Sequence, residues 1–322
     1  MDISTAPQGR WHQNIEIDGQ ELSPENPQRK LSNFWNEGKW NNFIKPLLPQ
    51  DPSEMTFMEI GCNVGLYEKM ATEYGFKKVI GIEKEKKDFE MAQWYRNALG
   101  MNYQLINQAI GEDLDIDKLP AADVVVLANM HYYVPIDLLI KFLDKLLYRT
   151  RYVIIVSRHL KDPRGWTPPS EFDSIRTMMK DWKEVDAIFT DRGMLKDDPH
   201  PREMWSQLFE GKLERAELAK CVRPEPLTRE KRNLAQRIKD GDETTFKNSS
   251  YYRHWVERKK GEWKDGEILD FVQSKVNLFK SLLAEGQNEP ILINMNNKIV
   301  DGGHRAVAMQ QFGYKTVLAR RI

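Results

Sequence analysis

The sequence predicts an α/β fold with a doubly wound, mostly parallel sheet, followed by a second, smaller α+β unit. Between residues 56 and 157, short apolar runs alternate with amphipathic segments, which is typical of βαβ units. The chain has 322 residues, about twice the length of a domain of ~150 residues. No internal repeat relates its two halves. These observations predict two domains of different fold, residues 1–212 and residues 213–322.

Five apolar runs are the predicted strands of the first domain. They are Thr56–Ile60, Val79–Glu83, Tyr103–Ile106, Asp123–Leu127 and Tyr152–Ser157. Such runs suit strands that are buried on both faces of a sheet. Between them, apolar residues at helical spacing predict helices, and Gly75 and Gly100 stand where two of these helices should end. A third helix is predicted from Ile136 to Leu147.

The later elements have weaker patterns. Val185–Thr190 and Glu203–Phe209 complete the first domain as strands, although the second segment fits a helix equally well. Residues 162–169 are rich in proline and glycine, which predicts a loop inserted near the mouth of the site. In the second domain we expect a helix at Glu267–Leu283, a hairpin around Asn296 and Asn297, and a helix at Gly303–Phe312. The hairpin strands are Pro290–Asn294 and Lys298–Val300, and Thr316–Arg320 is the final strand.

Composition excludes several classes of protein. Lys plus Arg and Asp plus Glu number 48 each, so no global field draws the chain to nucleic acid or to an anionic membrane. The two cysteines, Cys62 and Cys221, cannot form a disulfide framework or a Cys-rich zinc module. No run of ~18 apolar residues and no signal segment are visible. We therefore expect a soluble cytoplasmic protein with no membrane partner.

One local charge bias stands out against this zero balance. Residues 212–260 contain 14 basic and 8 acidic side chains, a net charge of +6, with Tyr251, Tyr252 and Trp255 among them. Long basic side chains that solvate a helical face explain this pattern. A surface for RNA or for a phosphate ligand explains it too, and both interpretations stay open.

A glycine loop follows the first predicted strand. Residues 59–65 read Glu-Ile-Gly-Cys-Asn-Val-Gly and open a helix. Gly61 and Gly65 allow a sharp turn and a close approach to a ligand, and the free N–H groups at the helix start favour negative charge. Glu83 ends the second strand, where an acid can accept hydrogen bonds from both ribose hydroxyls. Loop and acid together predict a ligand with an adenosyl group.

The pattern Glu-x-Gly-x-x-x-Gly resembles motif I of the class I S-adenosylmethionine-dependent methyltransferases, which implies a Rossmann-like fold and S-adenosyl-L-methionine as cofactor. The resemblance implies that Glu59 contacts the loop or the ligand amino group, that the glycines shape the methionine pocket and that Glu83 binds ribose. Gln108 and Ala109 match the adenine contact. The predicted cofactor site is thus Glu59, Gly61, Asn63, Gly65, Glu83, Gln108, Ala109 and Asn129.

The fourth strand ends in residues 129–133, at the sheet edge where open α/β folds bind ligands. Methyl transfer from an activated donor requires alignment of the acceptor and, for a hydroxyl, removal of its proton. His131 and Tyr132 are the candidate catalytic residues, with Tyr133 and His159 as alternatives. A capping or packing role for each of them stays open. Cys62 is interpreted as a small packing residue.

A narrower resemblance lies upstream of the loop. The Trp11-His12 pair, residues 15–17, Trp35 and Trp40 are similar to the methyltransferase family that includes the tRNA wobble-uridine carboxymethyltransferase. The carboxylate-binding residues of that enzyme cannot be placed in this sequence, so ordinary S-adenosylmethionine is favoured. The tryptophans either pack over the sheet or form a lid over the acceptor.

A second motif, Asp301-Gly302-Gly303-His304-Arg305, stands between a strand and a helix. Helix-start N–H groups and a guanidinium suit a phosphate, and Asp301 can orient Arg305 or hold Mg²⁺. The stretch from Pro290 to Ile322 resembles the ParB/sulfiredoxin-like fold, which implies binding of ATP or CTP. Gly303 replaces the sulfiredoxin cysteine, which excludes sulfinic acid reduction, and without a helix-turn-helix no sequence-specific DNA binding is expected. Nucleotide binding, small-molecule kinase activity and a module that only packs stay open.

The leading hypothesis is a methyltransferase that O-methylates a small-molecule or sugar-like acceptor and is fused to a nucleotide-binding domain. A tRNA methyltransferase, with the basic stretch as RNA surface, is one alternative. A nucleotide-regulated binding protein on a methyltransferase scaffold is the other.

Overall fold

The computed structural model describes residues 5–7, 11, 13, 15–22, 36–109, 119–130, 133–158, 178–189, 204–222, 226–242, 246–287 and 289–321. The chain divides into two compact units, the first made of Met1–Lys118 and Ala122–Lys212, and the second of Leu119–Ala121 and Leu213–Ile322. The predicted loop at residues 162–169 lies outside the described residues, as do His12 and Trp35.

The first unit begins with small elements. A hairpin of β1 (Glu16–Ile17) and β2 (Gln20–Glu21) turns through Asp18 and Gly19, both at positive φ (50° and 77°), as a type I′ turn requires. Helix α1 (Asn36–Lys39) continues into a π-helical turn (Trp40–Ile44) and a 3₁₀ turn (Lys45–Leu47).

The main sheet follows as alternating strands and helices. Its elements are β3 (Thr56–Ile60), α2 (Leu66–Tyr74), β4 (Lys78–Glu83), α3 (Lys86–Ala98), β5 (Gln104–Asn107), β6 (Ala122–Ala128), α4 (Ile136–Leu146), β7 (Thr150–Arg158), β8 (Lys183–Phe189) and β9 (Met204–Glu210). Among the described residues the sheet has seven strands in the order β5-β4-β3-β6-β7-β9-β8. The first five in this order run parallel, and β9 is antiparallel to both of its neighbours.

This topology places ligands at one edge of the sheet. The chain winds outward from β3 on one side and from β6 on the other, so a crevice opens at the carboxyl ends of these two strands. The strands are apolar because both faces are covered: Phe57, Val124, Val126 and Ile154 are fully buried. Helix α2 ends at Gly75, whose φ is 106°, as predicted.

Most predicted elements are observed within two residues of their expected bounds. The open question over Glu203–Phe209 is settled as strand β9, because its side chains are buried on both faces and it pairs with β7 and β8. The predicted strand Val185–Thr190 is β8 and begins two residues earlier, at Lys183.

The second unit contains β10 (Leu213–Glu217), α5 (Leu218–Cys221), α6 (Pro226–Lys239), a 3₁₀ turn (Phe246–Asn248), α7 (Ser250–Arg258), α8 (Asp265–Glu285), β11 (Ile291–Ile293), β12 (Ile299–Asp301), α9 (Gly303–Gln311) and β13 (Thr316–Arg321). Its sheet has the order β10-β13-β11-β12. The β11–β12 pair is the predicted antiparallel hairpin, and β11 runs parallel to β13. Strand β10 was not predicted, because its charged residues make the segment look like a polar, solvent-exposed stretch.

The core of the second unit lies between its helices and this sheet. Tyr251, Val272, Val276, Phe279 and Ile291 are completely buried there. Within the described part of the chain, the helices are too short or too polar to cross a bilayer.

Candidate active site

The loop between β3 and α2 turns back onto the neighbouring strand. The backbone N–H groups of Gly61 and Cys62 both donate to the carbonyl of Ile82, at 2.8 and 3.0 Å. Gly61 and Gly65 have φ values of 78° and 88°, in the left-handed region that L-residues disfavour. The sequence placed glycine where this backbone needs it.

A side chain at either glycine would press against a neighbouring residue. A Cβ on Gly61 would stand 3.1 Å from Cγ of Met130, and a Cβ on Gly65 would stand 2.9 Å from the hydroxyl of Tyr103. Tyr103, which was not among the predicted site residues, packs against Gly65 of the loop. Glycine at both positions therefore lets the loop pack closely against Met130 and Tyr103.

Glu83 ends β4 with its carboxylate held by two backbone N–H groups. Asn63 donates to Oε2 at 2.8 Å and Glu85 donates to Oε1 at 2.9 Å. Burial raises the pKa of Glu83, and these two hydrogen bonds oppose that rise. Because each carboxylate oxygen can accept a second hydrogen bond, both oxygens keep acceptor capacity for a ligand.

Asn63 links the loop to the acid. Its φ is 53°, its backbone N–H donates to Glu83, and its side-chain amide donates to Asp88 at 3.2 Å. Asn tolerates this conformation better than most residues. The loop and the end of β4 are therefore one hydrogen-bonded unit.

The predicted adenine contact lies beside the same strand end. The N–H of Gln108 donates to the carbonyl of Glu83 at 3.0 Å, and Ala109 follows. The side chain of Asn107 donates to the same carbonyl at 2.7 Å. The sequence did not single out Asn107, because Asn at the end of a strand is typical of an ordinary turn.

The end of β6 places Asn129 at the crevice. Asn129 has a φ of 59°, its N–H donates to Val156 at 2.9 Å, and its side chain is buried with an Oδ1 atom that has no hydrogen-bond partner in the described part of the chain. His131, Tyr132 and His159 lie outside the described residues. Tyr133, another candidate base, is 61% exposed.

Cys62 lies beneath the loop rather than at its surface. Its side chain is fully buried, and burial followed by the charges of nearby glutamates raises the pKa of its thiol. A nucleophilic cysteine needs the opposite environment, which lowers that pKa.

The N-terminal segment packs against the same region. Trp11 and Trp40 are buried in the core of the first unit, and the side chain of Gln13 accepts a hydrogen bond from the N–H of Leu66 at 3.1 Å. A cavity of about 280 Å³ lies beside this helix start. Its lining residues are Ile15, Glu16, Glu21, Asn36, Glu37, Leu66, Lys69 and Tyr95.

The second predicted site is the start of α9. Gly302, at a φ of 83°, could not carry a Cβ, which would lie 2.7 Å from Ile291. The guanidinium of Arg305 donates to Glu289 at 3.0 Å, to the carbonyl of Pro290 at 3.3 Å and to Asp301 at 3.4 Å. Two carboxylates thus fix the direction of this guanidinium.

His304 points inward from the same turn. Its Nε2 lies 2.6 Å from the hydroxyl of Tyr251 in a hydrogen bond. Burial, then the positive charges of Lys231, Lys275 and Arg305, lower the pKa of His304 to about 3. His304 is therefore neutral near pH 7, and these cations converge on the start of α9.

Across the described residues, no group of three or more His, Cys, Asp or Glu side chains could hold a metal ion.

Parts of the chain are similar to known proteins. No family model matches the chain. The chain is similar to ribosomal RNA small subunit methyltransferase A of Bacillus mycoides (strain KBAB4), with 26% identity over 145 residues, which is 43% of this chain and 49% of that protein. It thus spans about half the length of the curated relatives it matches.

Two solved structures have a similar architecture. One is the N-methyltransferase NodS from Bradyrhizobium japonicum WM9, with a TM-score of 0.44 and 15% identity over 58% of this chain and 98% of that chain. The other is a SAM dependent methyltransferase from Aquifex aeolicus, with a TM-score of 0.42 and 16% identity over 56% and 95% of the two chains. With its strand order, the first unit is a Rossmann-like α/β domain built on a mostly parallel central sheet.

Proposed function

We propose that the first unit binds S-adenosylmethionine and transfers its methyl group to an acceptor. The observation that carries this proposal is Glu83, whose carboxylate is oriented by the N–H groups of Asn63 and Glu85 and keeps acceptor capacity on both oxygens. A ribose offers two adjacent hydroxyl donors, which match this carboxylate. The glycine loop lies next to it and supplies one of these two N–H donors.

The other loop residues have complementary roles in this proposal. The backbone around Gly61 and Gly65 borders the methionine part of the ligand, and the start of α2 favours its carboxylate. Asn63 keeps Glu83 in place, while Gln108 and Ala109 border the adenine. When bound, S-adenosylmethionine supplies a methyl group on a sulfonium, so the protein mainly aligns the acceptor and takes its proton.

Calorimetry with S-adenosylhomocysteine tests the cofactor proposal. Glu83→Gln keeps the shape but presents an N–H to one of the two backbone donors. A hydrogen bond to a charged group contributes ~1.5–3 kcal/mol, so binding should weaken about 10- to 150-fold. The matched control is Glu90→Gln, an exposed residue of α3 that pairs with Lys86 at 3.8 Å. Equal affinity of both variants, or no binding by the wild type, would overturn the assignment and favour a binding protein on a methyltransferase scaffold.

For the acceptor, we propose a small molecule with a hydroxyl group, such as a sugar. Residues 1–212 contain 27 Lys and Arg against 33 Asp and Glu, a net charge of −6. A catalytic domain of this charge repels the phosphates of a nucleic acid. His131 and Tyr132 remain the candidates for the residue that removes the acceptor proton. Their substitution by Gln and Phe should lower turnover and leave S-adenosylhomocysteine binding unchanged.

RNA is the second candidate acceptor, and the second unit carries the observation that favours it. Residues 213–322 have 21 basic against 15 acidic side chains, a net charge of +6. Arg258 lies over the ring of Trp255 at 5.4 Å, and Lys259 lies over Trp263 at 5.1 Å. Proteins that bind single-stranded nucleic acid place basic side chains against the phosphates and aromatic rings against the bases. The rRNA methyltransferase relative is consistent with this candidate.

RNA binding at several salt concentrations separates the two acceptors. If RNA is the acceptor, affinity should fall steeply as salt rises, and Trp263→Ala should weaken binding. An absence of RNA affinity at low salt would remove this candidate and leave the small molecule.

We also propose that the start of α9 binds a phosphate group, with ATP or CTP as the nucleotides to test. Gly302, Gly303, His304 and Arg305 form the turn, and Lys231 lies 3.6 Å from the Cβ position on Gly303. Neutral His304 can donate a hydrogen bond, whereas the lysines and Arg305 supply positive charge. ATP should raise the melting temperature of the wild type and of Arg253→Ala, an exposed control on α7, but not of Arg305→Ala. Protection that survives in Arg305→Ala would contradict the proposal.

A further inference from the structure

Two glutamate carboxyl groups lie enclosed beneath the glycine loop. Glu59, on β3, is 1% exposed, and Glu68, in the first turn of α2, is 0% exposed. In the sheet, Glu59 stands beside Gly81 of β4. A Cβ on Gly81 would lie 2.9 Å from both Cδ and Oε1 of Glu68. The two acids therefore meet over the same glycine, one from the sheet and one from the helix.

These carboxyl groups have almost no compensating hydrogen bonds. Oε2 of Glu59 and both side-chain oxygens of Glu68 have no partner among the described residues. An isolated buried carboxylate without a partner is strongly disfavoured, and two of them side by side cannot both ionise near neutral pH. A hydrogen bond between the two groups removes the conflict, and it requires that one of them carries a proton.

The surroundings favour one proton for the pair. Burial first, then the negative charge of Glu68, raise the pKa of Glu59 well above its usual range, while the positive charge of Lys39 lowers it. Burial raises the pKa of Glu68 to about 8. The titratable and charged groups that face the pair are Lys39 from α1, Cys62 from the loop, Tyr67 from α2, Glu83 from β4 and Tyr103 ahead of β5.

We propose that Glu59 and Glu68 share a single proton and that the charge of this pair sets the preference of the loop for the sulfonium cofactor over its thioether product. This inference rests on the proposed function, since it concerns the ligand of the same loop. Glu68 is a positioning residue here, because it acts through Glu59 and the loop and not by direct contact.

The charge state of the pair has a direct consequence for product release. S-adenosylmethionine carries a positive sulfonium that S-adenosylhomocysteine lacks, and the two ligands are otherwise alike in charge. When the shared proton is retained, the pair carries one negative charge. Loss of the shared proton near the upper end of the physiological pH range gives the pair a second negative charge. This second charge attracts positively charged S-adenosylmethionine and leaves the binding of neutral-sulfur S-adenosylhomocysteine unchanged.

The test is the ratio of two dissociation constants, that of S-adenosylhomocysteine to that of S-adenosylmethionine, measured by calorimetry from pH 6 to pH 9. Effects on folding and on the amino group of the ligands cancel in this ratio. An added negative charge beside the loop should raise the ratio several-fold, because the positive ligand gains Coulomb energy that the neutral ligand does not. A ratio that stays constant in the wild type would overturn the proposal.

Two variants provide the comparison. In Glu68→Gln the amide donates to Glu59 and the repelling charge is gone, so Glu59 stays ionised and the ratio should be independent of pH. Glu73→Gln is the control, because Glu73 lies on the same helix, is half exposed and pairs with Lys69 at 2.9 Å. It should keep the wild-type pH dependence. A Glu68→Gln ratio that still rises would contradict the proposal.

An independent readout keeps the two proposals apart. The infrared band of a buried protonated carboxyl group should be present in the wild type at pH 7 and should disappear as the pH is raised to 9. If the band is absent, the shared proton is wrong even where both ligands bind. If neither ligand binds at any pH, the proposed function fails and the role in cofactor preference fails with it, whereas the band still reports on the shared proton.

Discussion

Replacement of Gly65 by alanine tests how the glycine loop is held. Gly65 has a φ of 88°, and a new Cβ would stand 2.9 Å from the hydroxyl of Tyr103 and 3.6 Å from its Cζ atom. Tyr103 is 2% exposed, so its ring has little freedom to move away. The substitution therefore adds both backbone strain and a steric clash.

The two contributions can be estimated separately. A non-glycine residue in the left-handed region costs ~1–2 kcal/mol, and overpacking a rigid core costs ~1–3 kcal/mol. Gly65→Ala should thus destabilise the first unit by about 2–5 kcal/mol, which lowers its melting temperature by roughly 4–20 °C. Gly100→Ala is the matched control, since Gly100 also has positive φ (63°) but nothing lies within 4 Å of its Cβ position. It should cost only the strain, about 1–2 kcal/mol.

A second substitution isolates the clash. Tyr103→Phe removes the hydroxyl, which has no hydrogen-bond partner among the described residues, and leaves an ordinary 3.6 Å contact. In the Gly65→Ala/Tyr103→Phe double variant, the overpacking cost of about 1–3 kcal/mol should disappear, whereas the destabilisation caused by backbone strain should remain. Scanning calorimetry of the wild type, the three single variants and the double variant measures this directly. A Gly65→Ala variant as stable as Gly100→Ala, or one that Tyr103→Phe does not rescue, would refute the role of Tyr103.

Three further predictions concern buried polar groups. Asp123 is fully buried and accepts a hydrogen bond from the N–H of Thr56 at 2.8 Å, so Asp123→Asn should destabilise the first unit by about 1–3 kcal/mol in urea unfolding; an unchanged midpoint would contradict this. Gln287 donates to the carbonyls of Leu318 and Glu289 at 2.8 Å and accepts from the N–H of Leu318 at 2.7 Å, so Gln287→Ala should lower the melting temperature of the second unit and leave that of the first unchanged. Glu68 binds its proton more tightly when folded, since its pKa rises from 4.5 to about 8. The free energy of unfolding of the wild type should therefore fall as pH rises through that window. Glu68→Gln lacks this titration, so it should gain stability relative to the wild type between pH 5 and pH 8. A stability difference between the two proteins that does not change with pH would contradict the predicted direction.

Much of the fold could be predicted because the controlling signals are local. The strand positions follow from short apolar runs, which reflect burial on both faces of a parallel sheet. Gly75 and Gly100 predicted helix ends because the left-handed backbone there is strained for other residues. The same property made Gly61 and Gly65 visible as a loop before any contact was known.

Other features depend on contacts between distant segments, which local patterns do not encode. Nothing in the sequence near Glu68 distinguishes it from an acid that stabilises a helix start. Its burial against Gly81 arises only when α2 packs on the sheet. In the same way, Tyr251 forms a hydrogen bond with His304, which lies more than fifty residues further along the chain. From the sequence alone, the aromatic residues around Tyr251 suggested a surface for nucleic acid and not a contact with His304.

The loop and its acid depend on each other, which explains why Glu83 remains a suitable ligand group although it is buried. Burial raises its pKa, while the N–H groups of Asn63 and Glu85 lower it. The Asn63 donor belongs to the loop itself, where that residue has a φ of 53°. Any change that straightens the loop removes a hydrogen bond from Glu83 and so weakens the charged form that would accept the ribose hydroxyls. The glycines and the acid are therefore a single functional element, and substitutions at Gly65 and Glu83 should not have additive effects on ligand affinity.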